Sequence, residues 1–183
     1  MKKLLLIIDA QYDFINGSLA VDGAEEKMIN LSNHIKSNDY DSIYFTIDWH
    51  PFNHSSFIEN NGKWPKHCVQ YTHGASIYND VIYEAYKKCK DIKIFGKGMN
   101  PTKDSYSILD ETIMSRLFIM SMNNFDEIYV CGICGDICVK YTIIDMIKYD
   151  LNNKLTVLRD FCPSIDKGIE LNKLIQENEL KYV

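Results

Sequence analysis

The chain has 183 residues, 46% of them hydrophobic, which allows one sizeable core but is short for two full domains. A formal charge of −5 and an isoelectric point near 5.5 argue against nucleic-acid binding, because nucleic-acid-binding proteins usually carry a clustered basic face, which this sequence lacks. We therefore expect residues 1–183 to form a single domain without a nucleic-acid partner.

The amino terminus, MKKLLLIIDAQYDF, begins like a signal peptide, with two lysines and an apolar run. The run ends at Asp9, which is too early for a signal peptide, and no small-residue cleavage site follows. No other segment approaches the roughly 20 apolar residues that a membrane-spanning helix needs. We expect a cytoplasmic protein with no membrane partner, whose six cysteines are reduced thiols.

Short apolar runs rich in β-branched and aromatic residues predict buried strands. They lie at residues 4–9, 42–48, 92–96, 127–132 and 155–160. Between them lie segments with helical spacing, at residues 24–37, 109–124 and 136–149. Strands that alternate with helices in this way predict right-handed crossovers and a mostly parallel sheet. The predicted fold class is therefore a three-layer α/β/α domain.

Residues 49–75 show neither helical nor strand periodicity. They contain two prolines, two glycines and four of the five histidines. A loop of this length in a compact domain is usually functional.

Reactive side chains follow four of the predicted strands. Asp9 and Asp48 end the first two, the third leads into Lys97, and the fourth leads to Cys134 and Cys138. Open parallel sheets bind ligands outside the carboxyl ends of their strands. We therefore expect two acids, a lysine and a thiol to meet at one edge of the sheet.

The stretch YVCGICGDICVKYT, residues 129–142, contains three cysteines with three possible roles. Metal ligation lacks a fourth ligand at a suitable spacing. Packing is common for free cysteine and is our expectation for Cys131. Cys138 falls in the first turn of a predicted helix, where the helix dipole favours a thiolate and lowers the thiol pKa. For Cys138 the residues alone leave nucleophile and packing both open.

Asp48 and His50 form a D-x-H pair at the end of the second strand, and His67 follows in the loop. One carboxylate and two imidazoles suit Zn²⁺, Mn²⁺ or Fe²⁺ and leave coordination positions open. A D-x-H pair also arises by chance, so surface histidines in a polar loop are the alternative.

Five motifs together resemble one family. They are IIDAQYDF, TIDWHPFNHSSF, WPKHCV, GKGMNPTKDSYS and GICGDICVKYT, and they occur in this order over most of the chain. They are similar to the nicotinamidases of the isochorismatase-like cysteine hydrolase superfamily. The resemblance implies that residues 1–183 form a single isochorismatase-like hydrolase domain.

The resemblance also implies a catalytic triad. Cys138 is the nucleophile, Asp9 the general base and acid, and Lys97 the third member. The backbone N–H groups of Cys134 and Cys138 form an oxyanion hole, with a cis peptide between Ile133 and Cys134. Family members commonly carry another residue in place of Cys134, so its thiol is a departure from the family pattern.

A metal site and a substrate pocket are implied as well. Asp48, His50 and His67 are the metal ligands, with Zn²⁺ the expected ion and Fe²⁺ or Mn²⁺ as alternatives. His54 is either a further ligand or an outer partner. The flat substrate is expected to lie between aromatic walls formed by Phe14, Trp64 and Tyr106, because offset stacking adds to burial.

The implied activity is hydrolysis of the small molecule nicotinamide to nicotinate and ammonia through a thioester, a reaction of NAD salvage. One alternative is a related hydrolase of another small amide or of a vinyl ether. The other is a non-catalytic metal-binding protein on the same fold. A homo-oligomer is compatible with the sequence, which does not determine the number of subunits.

Overall fold

The computed structural model describes residues 1–111 and 114–183. The strands of this described part form one sheet in which all neighbours run parallel. In chain order they are β1 (Lys3–Ile8), β2 (Ser42–Asp48), β3 (Ile92–Lys97), β4 (Glu127–Gly132), β5 (Leu155–Val157) and β6 (Lys181–Tyr182). Their order across the sheet is β3-β2-β1-β4-β5-β6, which confirms the predicted parallel α/β fold.

All five predicted strands are present, with shifts at their ends. β1 stops at Ile8, one residue early, and β5 is shorter than predicted because a 3-10 helix, Arg159–Phe161, follows it. β6 was not predicted from the sequence. Its two residues are exposed, so no apolar run marks them.

The helices confirm the predicted alternation. They are α1 (Tyr12–Ile15), α2 (Ala24–Ser37), α3 (Asn79–Lys88), α4 (Met114–Met122), α5 (Lys140–Lys148) and α6 (Ile169–Glu177). In α2 the side chains of Met28, Leu31 and Ile35 share one face of the helix and are fully buried.

Two predicted helical segments differ from the observed helices. Residues 112 and 113 of the segment 109–124 lie outside the described residues, and α4 occupies the middle of that segment. The segment 136–149 begins as one turn of π-helix, Gly135–Val139, before it continues as α5.

The strand order determines the layers. The chain runs from β1 to β3 on one side of the sheet and then returns to β4, β5 and β6 on the other side. With right-handed crossovers, this reversal puts α2 and α3 on one face and α4, α5 and α6 on the opposite face. The direction changes between β1 and β4, where open sheets form a crevice at the carboxyl ends of the strands.

Residues 49–75 form the predicted long loop, with two short 3-10 helices, Ile58–Asn60 and His73–Ala75, as their helical turns. His50 bridges to Val69 and Phe57 bridges to Trp64, so the loop folds back on itself. This fold returns His67 to the end of β2.

Within residues 1–111 and 114–183, no helix combines the length and the apolar character required to cross a lipid bilayer.

The first prediction concerns the central strand β1. Leu6 is fully buried there, so Leu6→Ala should lower the free energy of unfolding by about 2–5 kcal/mol through lost burial and a residual cavity. Leu117→Ala in α4 is the matched control, because the Leu117 side chain is 55% exposed and surface changes are usually within about 0.5 kcal/mol. Urea unfolding measures both, and equal losses would contradict the assignment of β1 to the core.

Candidate active site

Four reactive side chains meet at the carboxyl edge of the sheet. The Nζ atom of Lys97 lies 2.8 Å from Asp9 Oδ2, 2.5 Å from Asp48 Oδ1 and 3.7 Å from Cys138 Sγ. Each of the four residues is at most 6% exposed. The expected meeting of two acids, a lysine and a thiol is therefore confirmed as geometry.

The strand ends bring these groups together. Lys97 is the last residue of β3 and pairs in register with Asp48, the last residue of β2. Asp9 follows β1 directly and adopts a φ of 50°, which turns the chain away from the sheet. The Thr46 hydroxyl donates to Asp9 Oδ1 at 2.9 Å, so the other oxygen, Oδ2, faces Lys97.

The pKa values of the two carboxylates are shifted in opposite directions, although both carboxylates contact the Lys97 ammonium. Burial raises the pKa of Asp9, and Lys97 opposes this only in part. Burial also disfavours ionised Asp48, but Lys97 and the nearby imidazoles outweigh it and lower the pKa of Asp48. The pKa of Lys97 is raised well above its usual value, because the two carboxylates outweigh its burial. Asp48 is thus a stable anion, whereas Asp9 is suited to carry a proton.

Cys138 is the fourth residue of the π-helical turn. Burial raises the pKa of its thiol well above the usual value, and the Lys97 ammonium acts in the opposite direction. The expectation that a helix start lowers the pKa of this thiol is therefore wrong. The side chain lies buried against the sheet edge, where desolvation of the thiolate exceeds the attraction of the local charges. A thiolate at Cys138 depends on a nearby base and on Lys97.

The second thiol of the motif, Cys134, is engaged differently. Its Sγ donates to Asp136 Oδ1 at 2.8 Å, and burial together with this carboxylate raises the pKa of the Cys134 thiol. The peptide bond between Ile133 and Cys134 is cis, as the resemblance implied. Cys138 lies beside both the Lys97 ammonium and the Asp9 carboxylate, whereas Cys134 donates to the Asp136 carboxylate, so the two thiols have different electrostatic surroundings.

The remaining cysteines are consistent with packing. Cys68, Cys89, Cys131 and Cys162 are buried free thiols. Within the described residues, no group of three cysteines is close enough to hold an ion.

The predicted metal ligands converge beside the predicted triad. Asp48 Oδ2 lies 3.6 Å from His50 Nε2 and 3.9 Å from His67 Nε2. The Nδ1 atoms of His50 and His67 face the carbonyl oxygens of Gly98 and Pro65 at 2.9 and 2.7 Å. A carbonyl oxygen only accepts, so both Nδ1 atoms carry the proton and both Nε2 lone pairs remain available. One carboxylate oxygen and two imidazole nitrogens fit a divalent transition-metal ion.

His54 lies beside the predicted ligand His50. Its Nδ1 accepts from the backbone N–H of Ser56 at 3.2 Å, and its Nε2 lies 3.2 Å from the carbonyl oxygen of Lys103. In this arrangement Nε2 carries the proton and Nδ1 accepts. The ring packs on His50 with centroids 4.2 Å apart, so His54 supports the predicted ligand His50. His54 also lies with His50 and Asp104 in a second group of side chains whose ligand atoms are close enough together to hold an ion.

A pocket opens over Cys138, Asp48 and His67. Its walls include all three predicted aromatic residues, Phe14, Trp64 and Tyr106, and also Cys134, which the resemblance assigned to the oxyanion hole. Five further wall residues were not predicted: Leu19, Val21, Asp104, Ile137 and Ile165. Trp64 Nε1 donates to the Tyr106 hydroxyl at 3.2 Å, which fixes both rings. Leu19, Val21 and Ile165 come from loops, where neither spacing nor residue type marks a pocket wall.

Two buried polar residues beside the site were also missed. Gln11 and Thr46 are fully buried and hydrogen-bond to Asp48 and Asp9, respectively. Their signal in the sequence is weak: each is a single polar residue in or next to an apolar strand.

Comparison with known proteins places this site in a family. The family model for the isochorismatase domain matches residues 3–174. The nicotinamidase of Acinetobacter baylyi is 32% identical over an alignment 194 residues long, which covers 94% of this chain and 86% of that protein.

Two solved structures have the same fold. The pyrazinamidase of Pyrococcus horikoshii in complex with zinc has a TM-score of 0.80 at 30% identity. The match covers 100% of this chain and 99% of the pyrazinamidase chain. The PnC1 protein of L. infantum in complex with nicotinate has a TM-score of 0.83 at 27% identity, covering 100% and 92%. On its sequence, its fold and the convergence of its strand-end residues, this chain belongs to the isochorismatase domain family.

Proposed function

We propose that this chain hydrolyses nicotinamide to nicotinate and ammonia, with Cys138 as the nucleophile. The observation that carries the proposal is the buried Lys97, whose ammonium contacts Asp9 and Cys138 beneath an aromatic pocket. Beside it lie three side chains that could hold a metal ion. Two findings on relatives support the substrate class: the Acinetobacter baylyi protein is a nicotinamidase, and the L. infantum structure contains nicotinate.

In the first half of the reaction Cys138 passes its proton to Asp9 and attacks the amide carbonyl carbon. The developing oxyanion accepts hydrogen bonds from the backbone N–H groups of Cys134 and Cys138. Asp9 then returns the proton to the amide nitrogen, so that ammonia leaves and a thioester remains on Cys138. The raised pKa of Asp9 suits a group that must accept and return a proton.

In the second half Asp9 takes a proton from a water molecule, which attacks the thioester carbonyl. The tetrahedral species collapses to nicotinic acid, which releases its proton to solvent and leaves as nicotinate, and to the Cys138 thiolate. The thiolate regains its proton from Asp9. Lys97 remains charged throughout, because two carboxylates hold its pKa well above the usual value. Its ammonium stabilises the thiolate whenever that species forms.

Asp48, His50 and His67 would hold one divalent ion, and Zn²⁺ suits this set of one oxygen and two nitrogens best, with Fe²⁺ or Mn²⁺ as alternatives. When bound, the ion supplies a Lewis acid that the nitrogen of a pyridine ring can ligate. Phe14, Trp64 and Tyr106 enclose the ring from the sides. The proposed metal site favours a pyridine amide over another small amide or a vinyl ether as the substrate.

We also infer the domain organisation and the cellular compartment of the enzyme. Residues 1–183 form one catalytic domain that acts on a small molecule. Six free cysteines suit a reducing compartment, so we propose the cytoplasm.

The second prediction tests the nucleophile. Cys138→Ala should reduce ammonia release from nicotinamide by at least about 10³-fold, because the covalent step is lost. Cys134→Ala is the matched control and should keep most of the activity, since the proposed role of Cys134 uses its backbone. Circular dichroism checks the fold of both variants. Full turnover by the Cys138 variant would exclude the mechanism.

The third prediction tests the base. Asp9→Asn preserves shape but cannot accept a proton, so kcat should fall by about 10²–10⁴-fold with little change in KM. Asp22→Asn, the same change at an exposed aspartate, should leave both constants unaltered. A loss confined to KM would assign Asp9 to substrate binding instead.

The fourth prediction tests the metal site. His50→Ala should abolish stoichiometric zinc binding, raise KM and lower turnover together, because ring orientation is lost while Cys138 is intact. His73→Ala, at an exposed histidine of the same loop, should retain zinc and activity. Elemental analysis and steady-state kinetics measure both variants. Unchanged zinc content in the His50 variant would place the metal elsewhere.

A further inference from the structure

The Asp48 peptide lies where the sheet loses one of its strands. The ladder between β1 and β2 ends with the pair Ile8 and Thr46, and the Asp9 N–H still donates to the Thr46 carbonyl. Asp9 then turns the chain away, with its φ of 50°. On the β1 side, Asp48 therefore has no strand backbone beside it, although it is buried and must pair both of its peptide groups.

The carboxamide of Gln11 takes the place of the missing strand. Its Oε1 accepts from the Asp48 N–H at 2.7 Å, and its Nε2 donates to the Asp48 carbonyl at 2.8 Å. On the opposite side of Asp48, β3 pairs Lys97 with it. The Asp48 backbone is thus held from both sides, as in the centre of a sheet.

The same carboxamide also holds the far end of the histidine loop. The second hydrogen of Gln11 Nε2 is donated to the carbonyl of Ala75 at 2.9 Å. Gln11 is fully buried and every polar atom of its amide is used. One side chain therefore connects Asp48 to the end of the segment 49–75 that carries His50 and His67.

We propose that Gln11 is a positioning residue that sets the affinity of the metal site by fixing Asp48. This rests on the proposed metal role of Asp48, His50 and His67. Asp48 must direct Oδ1 to Lys97 at 2.5 Å and Oδ2 between two imidazoles, and a small rotation of its backbone would disrupt both contacts. Partners that orient a ligand are typically worth about 10–100-fold in metal affinity or activity.

Gln70 offers a matched control in the same region. Its Nε2 donates to the carbonyl of Trp49 at 3.0 Å, so it is also a glutamine that holds the backbone just after β2. Trp49 is not a ligand. A general loosening of this segment would follow from changing either glutamine, whereas the proposed effect is specific to Gln11.

The experiment measures Zn²⁺ affinity by competition with a chromogenic chelator for the wild-type protein, Gln11→Met, Gln11→Glu and Gln70→Met. Gln11→Glu keeps the size and the acceptor oxygen but loses the donor, so it is the milder packing change. We expect both Gln11 variants to bind Zn²⁺ about 10–100-fold more weakly, and Gln70→Met to stay within about threefold of wild type. The Co²⁺ absorption spectrum should change in the Gln11 variants alone, because the Asp48 carboxylate is displaced.

Three outcomes would overturn the role of Gln11. The first is an unchanged Zn²⁺ affinity in both Gln11 variants, and the second is an equal loss of Zn²⁺ affinity in Gln70→Met. The third is that thermal denaturation shows the metal-free Gln11 variants to be unfolded, which would make Gln11 a scaffold residue. Failure of the proposed metal site is distinguishable, because wild-type protein would then bind no stoichiometric Zn²⁺. At saturating Zn²⁺, kcat of the Gln11 variants should return to within a few-fold of wild type.

Discussion

The architecture of the site depends on one buried cation, the ammonium of Lys97. Removing an ammonium from water costs several kcal/mol even after relaxation, and only close anionic partners offset such a cost. Lys97 is fully buried and has two such partners, Asp9 and Asp48, at 2.8 and 2.5 Å. Removal of one partner from a buried pair typically costs about 3–5 kcal/mol. The three residues therefore require one another, and their strands must end level with one another at the same edge of the sheet.

The surroundings of the two carboxylates give them different chemistry. Asp48 lies near His50 and His67 as well as Lys97, and its pKa is lowered. Asp9 has Lys97 as its strongest favourable charge, and burial raises its pKa. Pairs of acids whose environments separate their pKa values commonly divide acid–base and electrostatic roles. Here Asp48 is suited to hold an ion, and Asp9 is suited to move a proton to and from Cys138.

Hydrogen bonds from outside the site fix the orientation of these groups. Thr46 occupies one oxygen of Asp9, and the carbonyls of Gly98 and Pro65 fix the tautomers of His50 and His67. Gln11 completes the pattern at Asp48. All of these contacts come from strand ends or from the adjoining loops, so the sheet acts as the template for the site and the loops supply its outer support.

The sequence by itself determined the strands, the layers and the residues that meet, because apolar periodicity specifies which segments are buried and parallel strands bring their ends together. Through the resemblance it also identified His50 and His67 as candidate metal ligands, and three aromatic residues as candidate walls of the substrate pocket. It did not determine β6, which is too short and too exposed to show a pattern.

Tertiary structure alone decided the electrostatics and the fine positioning. The pKa of Cys138 is raised, against expectation, because desolvation exists only once the chain has packed around the thiol. The roles of Gln11, Thr46 and His54 likewise follow from hydrogen bonds between residues far apart in the chain, which no local pattern records.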